Sequence, residues 1–246
     1  MPLPDRDFDP TEVAVPWKLL TEAGHEVLFA TASGRAGEAD PRVLDGVIFG
    51  QLGAAPEAVG FYGEMQHDDA YARPLAWNDV GEDGFDALFL AGGHAKGMCE
   101  YLESERVQAL SLAAWTSGRP VAAVCHGTIV LARTIDPATG HSVLWGRRST
   151  CLPKYMERTA YFMTAWKLGR YYRTYPAYVA DEVRAALGPD GTFERGPTTL
   201  VARGTRRDHS AAFVVEDGAY LSARWPGDAY LIATRLAERL AAARAA

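Results

Sequence analysis

Apolar positions along this chain fall into two rhythms that alternate from the start. Three short runs carry apolar residues almost without interruption: EVLFATA (Glu26 to Ala32), FDALFLAG (Phe85 to Gly92) and PVAAVC (Pro120 to Cys125). Continuous runs of this length, closed by glycine or small residues, predict parallel strands buried on both faces. Between them, VAVPWKLLTEAG from Val13 and ESERVQALSLAAWTSG from Glu103 space their apolar residues at helical intervals and close on Gly24 and Gly118. Glycine just past the last apolar position is a helix stop. Strand and helix in alternation predict an α/β fold, a three-layer sandwich around a mostly parallel, flavodoxin-like sheet.

Residues 39–84 break the alternation with a glycine-rich, weakly helical stretch that reads as an inserted cap. Insertions between neighbouring strands tend to cover a site. Residues 155–188 are strongly helical and rich in aromatics, with Pro176 predicting a bend between two helices, and they form the second cap element. TLVARG from Thr199 and AAFVVEDG from Ala211 predict two further strands. A last helix is expected to open on Asp228 as its N-cap. No repeat, low-complexity tract or linker divides the chain, so residues 1–246 are read as a single domain.

Composition narrows the function. The 246 residues are 48% hydrophobic and 23% charged, with a formal net charge of -6. That balance argues against a nucleic-acid surface. No apolar run approaches the roughly 18 residues of a membrane span. The N-terminal stretch lacks a signal-peptide core. Three cysteines without a CxxC pair argue against a disulfide framework or a structural zinc site, which makes the cytoplasm the expected compartment.

Chemistry concentrates in three places. In AAVCHGT, Ala122 to Thr128, an apolar strand runs directly into Cys-His-Gly and a helix. This puts the sulfur at the carboxyl end of a strand, where open α/β sheets bind ligands, and at a helix N-terminus, which favours thiolate. The arrangement is that of a nucleophile elbow, although Ala123 stands where the strict pattern has its first glycine. Taken alone, the stretch fits a buried inert cysteine equally well. FLAGGHAKG, Phe89 to Gly97, follows a second strand and offers backbone N–H groups of Gly92 and Gly93, with that of His126, as an oxyanion hole. Glu12 lies in the first turn of an apolar helix.

Together, Glu12 followed by Pro16, the Gly92-Gly93-His94 loop and the Ala123-to-Gly127 elbow resemble the ThiJ/PfpI superfamily, which has the class I glutamine amidotransferase-like fold. The insertion and SARWPGD, Ser222 to Asp228, resemble most the branch of the bacterial heat-shock chaperone with glyoxalase III activity. The resemblance implies that Cys125 is the reactive thiol, that Glu12 is a buried glutamate bonded to it, and that His126 is the general base and acid. It also implies Gly93 and His126 as oxyanion donors.

Two positions depart from the pattern. Lys154, in Leu152-Pro153-Lys154, stands where the branch has the aspartate of its triad, leaving Glu157 as a substitute. The branch's metal site would need a histidine where Thr21 stands beside Glu26, so no metal and no cofactor are expected. The opening MPLP is also short for the strand with which the superfamily begins.

The expected function is thus a cysteine-dependent lyase or hydrolase acting on a small electrophile, as in glyoxalase III-like conversion of a 2-oxoaldehyde or isonitrile hydratase-like chemistry. The alternative is a non-catalytic stress protein, a holdase chaperone or a sensor in which Cys125 is oxidised. A glutaminase is disfavoured because neither His141 nor His209 begins an H-x-E pair. A homodimer is expected as the commonest assembly, and Tyr62, Tyr172 and Trp225 are candidates for the pocket wall.

Overall fold

The computed structural model describes residues 1–46 and 53–245; part of the 39–84 insertion therefore lies outside the described residues. The chain opens with β1 (Arg6–Phe8), α1 (Pro10–Glu22), β2 (Ala30–Thr31), β3 (Glu38–Ala39) and α2 (Pro41–Asp45). It continues through α3 (Pro56–Met65), α4 (Asp69–Ala72), β4 (Leu75–Ala76), β5 (Leu88–Leu90), α5 (Met98–Leu102), α6 (Glu105–Thr116), β6 (Val121–Val124) and α7 (Thr128–Arg133). Two small pairs follow, an antiparallel one of β7 (Ile135–Asp136) with β8 (His141–Ser142), and a parallel one of β9 (Arg148–Ser149) with β10 (Thr192–Phe193). Between β9 and β10 lie α8 (Lys154–Leu168) and α9 (Val179–Leu187); β11 (Val214–Asp217), β12 (Tyr220–Ala223) and α10 (Ala229–Ala245) complete the chain.

The main sheet runs β11-β12-β6-β5, with β12, β6 and β5 parallel and β11 antiparallel at the edge. Every residue of β6 is buried, as a strand covered on both faces requires. Helices α1 and α10 pack together as one layer, and α6, α7 and α9 form the other. This is the α/β architecture expected from the alternating rhythms.

The register places the chemistry. Val124 pairs with Ala223 of β12, and Leu90 of β5 pairs with Ala123. Cys125, Gly92 and Trp225, each within two residues of these strand ends, therefore emerge at the same end of the sheet. Gly127 lets α7 start against β5, because a Cβ there would overlap the Leu90 carbonyl oxygen.

Several expected elements are realised differently. Of EVLFATA, only Ala30–Thr31 pairs as a strand, against β4. On its other side Pro2 bridges Ala30 in parallel: Leu3 N–H donates to the Ala30 carbonyl (2.8 Å), and Ala30 N–H donates to that of Met1 (3.2 Å). A cavity of about 590 Å³ lies at this far end of the sheet, lined by Met1, Leu28, Phe85, Phe89 and Leu236 among others. TLVARG forms no strand; Leu200 and Val201 are exposed, and nothing pairs with them to bury an extended run. The helix expected from residue 155 ends at Gly169, which takes φ +56°, well before Pro176, and residues 169–178 are irregular. A 3₁₀ turn, Pro226–Asp228, precedes α10, and the Asp228 carboxylate accepts from Arg224 and from Phe213 N–H rather than capping the helix.

Candidate active site

Cys125 is fully buried and takes φ +57°, one of two non-glycine residues in the left-handed region among those described. A side chain there costs about 1–2 kcal/mol of backbone strain, and such strain persists only where the surroundings over-determine it. Here a tight strand-to-helix turn does so: Val124 is extended, Cys125 to Gly127 form a 3₁₀ turn, and α7 follows at once.

Glu12 reaches the sulfur from the opposite side. Asp9 caps α1, accepting from Thr11 N–H (2.8 Å) and Glu12 N–H (3.2 Å), which fixes the first turn and aims Glu12 inward. Its Oε2 accepts from Gly92 N–H at 2.8 Å, while Oε1 is buried beside Cys125 without a hydrogen-bond partner. Burial, with the Asp9 charge beside it, pushes Glu12 well above the usual carboxylate range. That shift favours the protonated carboxyl, which has an O–H to offer the sulfur. Gly92 is obligatory, because a Cβ there would lie 2.7 Å from both Glu12 Oε2 and His126 N.

This contact alters the expected oxyanion hole. The N–H of Gly92 is spent on Glu12, leaving those of Gly93 and His126 as the candidate donors; the His126 N–H is the backbone group that favours the Cys125 thiolate. Burial, followed by the Glu12 and Asp9 charges, nevertheless raises the thiol well above its ordinary value. The helix N-terminus therefore does not by itself yield a thiolate here, and a base is needed.

His126 is placed to be that base. Its Nδ1 lies 3.4 Å from Cys125 Sγ, and its Nε2 lies 3.3 Å from Thr174 Oγ1. The single hydroxyl proton of Thr174 goes to the His94 carbonyl at 2.6 Å. Thr174 must then accept from His126, so Nε2 carries the hydrogen and Nδ1 presents a bare lone pair to the thiol. Burial, with His94 and Arg173 nearby, holds His126 well below its usual pKa, and burial lowers His94 to about 4. Both rings are neutral at pH 7.

Glu157 is not the acid behind His126. Its Oε1 accepts from Arg173 Nη1 (3.0 Å) and its Oε2 from Val179 N–H (3.1 Å), both carboxylate oxygens being engaged away from the imidazole. Burial raises it to about 7. The ion pair instead anchors Arg173, and so the backbone that carries Thr174. Lys154 bonds Asp181 at 2.6 Å and takes no part. Tyr172 packs edge-on against His94, whose ring centroid lies 5.0 Å from that of His126. Tyr62, by contrast, belongs to the core, edge-on to Phe8 and Tyr71, and accepts from Ala39 N–H.

Thr174 is thus the residue that sequence reasoning missed. Thr174→Val should slow alkylation of Cys125 by iodoacetamide roughly tenfold, the effect of losing one hydrogen bond of about 1.4 kcal/mol. Thr174→Ser should restore it, and an unchanged rate in the valine variant would show that His126 needs no such support.

The metal positions implied by the resemblance do not fit. Thr21 and Glu26 are exposed, and a threonine hydroxyl is no substitute for an imidazole. Among the described residues, the metal-competent cluster of three or more is His94, Cys125 and His126. No helix among them is long and apolar enough to cross a membrane.

Known proteins resemble this chain over most of its length. An uncharacterized protein of Schizosaccharomyces pombe is 29% identical over 98% of this chain and 83% of its own length. A deglycase of Pyrococcus abyssi is 26% identical over 91% of this chain and 87% of its own. The crystal structure of glyoxalase III from Candida albicans superposes with a TM-score of 0.68 at 20% identity, covering 96% of this chain and 88% of that one. Residues 3–197 match the family described as ThiJ/PfpI family-like, and the chain belongs to the ThiJ/PfpI family.

Proposed function

We propose that the protein is a cysteine-dependent enzyme that converts a small 2-oxoaldehyde to the corresponding 2-hydroxy acid. The observation that carries this reading is the bare Nδ1 of a neutral imidazole 3.4 Å from a thiol held in an elbow. The names of its relatives, a deglycase and a glyoxalase III, support a small carbonyl substrate.

In this reading His126 Nδ1 takes the thiol proton, and the sulfur adds to the aldehyde carbon. The carbonyl electron pair moves to oxygen, which accepts from the N–H groups of Gly93 and His126 and then takes the proton from the imidazolium. Nδ1 next removes the hydrogen of the same carbon to give an enediolate, the hydroxyl proton passes to the neighbouring oxygen, and the imidazolium returns its proton to the neighbouring carbon. The product is a 2-hydroxy thioester. Water hydrolyses it, releasing the acid and restoring the thiol, so the aldehyde is oxidised at the expense of the ketone and no external oxidant is required. Burial disfavours imidazolium, which keeps it short-lived. Glu12 holds the sulfur through its O–H.

The test is D-lactate formation from methylglyoxal. The wild-type protein should form it and Cys125→Ala should not; equal rates in the two would overturn the proposal.

A further inference from the structure

We propose that His94, Cys125 and His126 form a binding site for a thiophilic divalent cation, Zn²⁺ being the best fit, whose occupancy blocks the thiol. Their ligand atoms all lie within 4.8 Å of one another, and Cys125 and His126 are buried. This place is distinct from Thr21 and Glu26.

The spacing of the first two donors is what a zinc ion requires. Tetrahedral Zn²⁺ with bonds of about 2.3 Å to sulfur and about 2.05 Å to nitrogen separates the two donors by roughly 3.6 Å. Cys125 Sγ and His126 Nδ1 are 3.4 Å apart. The tautomer is also already set, because Thr174 accepts the Nε2 hydrogen and leaves the Nδ1 lone pair directed toward the sulfur. A hydrogen bond that fixes the far nitrogen of a ligating histidine is the usual outer-shell support of such sites. His94 sits on the loop after β5, with its ring 5.0 Å from that of His126, and supplies the third donor.

One sulfur and two imidazole nitrogens suit zinc rather than calcium or magnesium. The fourth tetrahedral position remains for water or an anion, as in open zinc sites. Binding exchanges the thiol proton for the metal: the S–H bond breaks, a proton leaves to solvent and an S–Zn bond forms, with no change of oxidation state. The sulfur lone pair is then committed, and the thiol is no longer a nucleophile.

Cobalt titration of the full-length, metal-free protein tests the site without reference to turnover, so it can fail independently of the proposed activity. One equivalent of Co²⁺ should produce a thiolate-to-cobalt charge-transfer band together with tetrahedral d–d bands, and Zn²⁺ should displace both. Cys125→Ser should abolish the charge-transfer band, and His94→Gln should weaken binding at least ~10-fold. In the unmutated protein, Zn²⁺ should slow alkylation of Cys125 by iodoacetamide at least ~10-fold, with recovery on adding a chelator. The absence of a charge-transfer band in the wild type, its persistence in Cys125→Ser, wild-type affinity in His94→Gln, or an alkylation rate indifferent to Zn²⁺ would each overturn the proposal.

Discussion

Replacing Arg224 with methionine should destabilise the protein by about 3–5 kcal/mol, because it leaves a carboxylate stranded in the core. Arg224 and Asp228 are both fully buried. The guanidinium donates to the carboxylate through Nε and Nη2, each at 2.8 Å, and to the carbonyls of Pro197 (2.7 Å) and Ala211 (3.3 Å). Asp228 in turn accepts from the backbone N–H groups of Phe213 (2.9 Å) and Arg224 (3.0 Å). One ion pair therefore fastens both ends of the irregular stretch from Pro197 to Ala211 to the turn after β12. At about 2–4 °C per kcal/mol for a chain of this size, the loss corresponds to a fall in Tm of roughly 10 °C. Arg224→Met/Asp228→Leu should recover part of it, since removing both charges spares the desolvation of one. It should not recover all, because the two backbone donors would still lose their acceptor. A single variant within ~1 kcal/mol of wild type would mean that water reaches Asp228.

The second large effect is expected at Glu12. Glu12→Leu removes the acceptor of Gly92 N–H and, in the proposed mechanism, the O–H offered to the sulfur. The orphaned donor costs about 1–3 kcal/mol of stability. Turnover of methylglyoxal should fall by roughly 10²-fold or more, because the sulfur loses both its orientation and its hydrogen bond. Glu12→Gln separates positioning from proton transfer. A glutamine amide reproduces a protonated carboxyl, with an oxygen for Gly92 and an N–H for the sulfur, but it cannot exchange a proton. If Glu12 positions the thiol, as proposed, the glutamine variant should keep kcat/KM within ~10-fold of wild type. A glutamine variant as inactive as the leucine variant would move Glu12 into the proton-transfer steps.

How far the sequence discloses such a site depends on how local each part is. The elbow is legible because strand, cysteine, glycine and helix adjoin within AAVCHGT, and Gly127 has a steric reason that acts between neighbouring elements. Glu12 is not legible from its place alone, since a carboxylate in the first turn of a helix is ordinarily a dipole partner; only the family resemblance singles it out. Gly92 is expected as an oxyanion donor, but its N–H goes to Glu12, a destination that depends on where a carboxylate 80 residues away comes to rest. Thr174 could not be found in this way. It reaches His126 across 48 residues from an irregular stretch, where a polar residue breaks no pattern. Gly169 was the available signal, a glycine inside a helical run that marks where the helix stops. Glu157 was a reasonable substitute for the missing acid by position, and only the three-dimensional pairing with Arg173 diverts it.

The left-handed backbone at Cys125 bears on how this lineage can change over evolutionary time. Glycine takes that conformation freely, whereas any side chain at position 125 holds it under strain. A copy relieved of its chemistry would have little to keep the cysteine there, and drift would favour glycine or asparagine. His126 has no such pressure on it, since its ring fills core space whatever the protein does. Among relatives, the residue at the position of Cys125 should therefore separate working copies from retired ones more sharply than the histidine beside it.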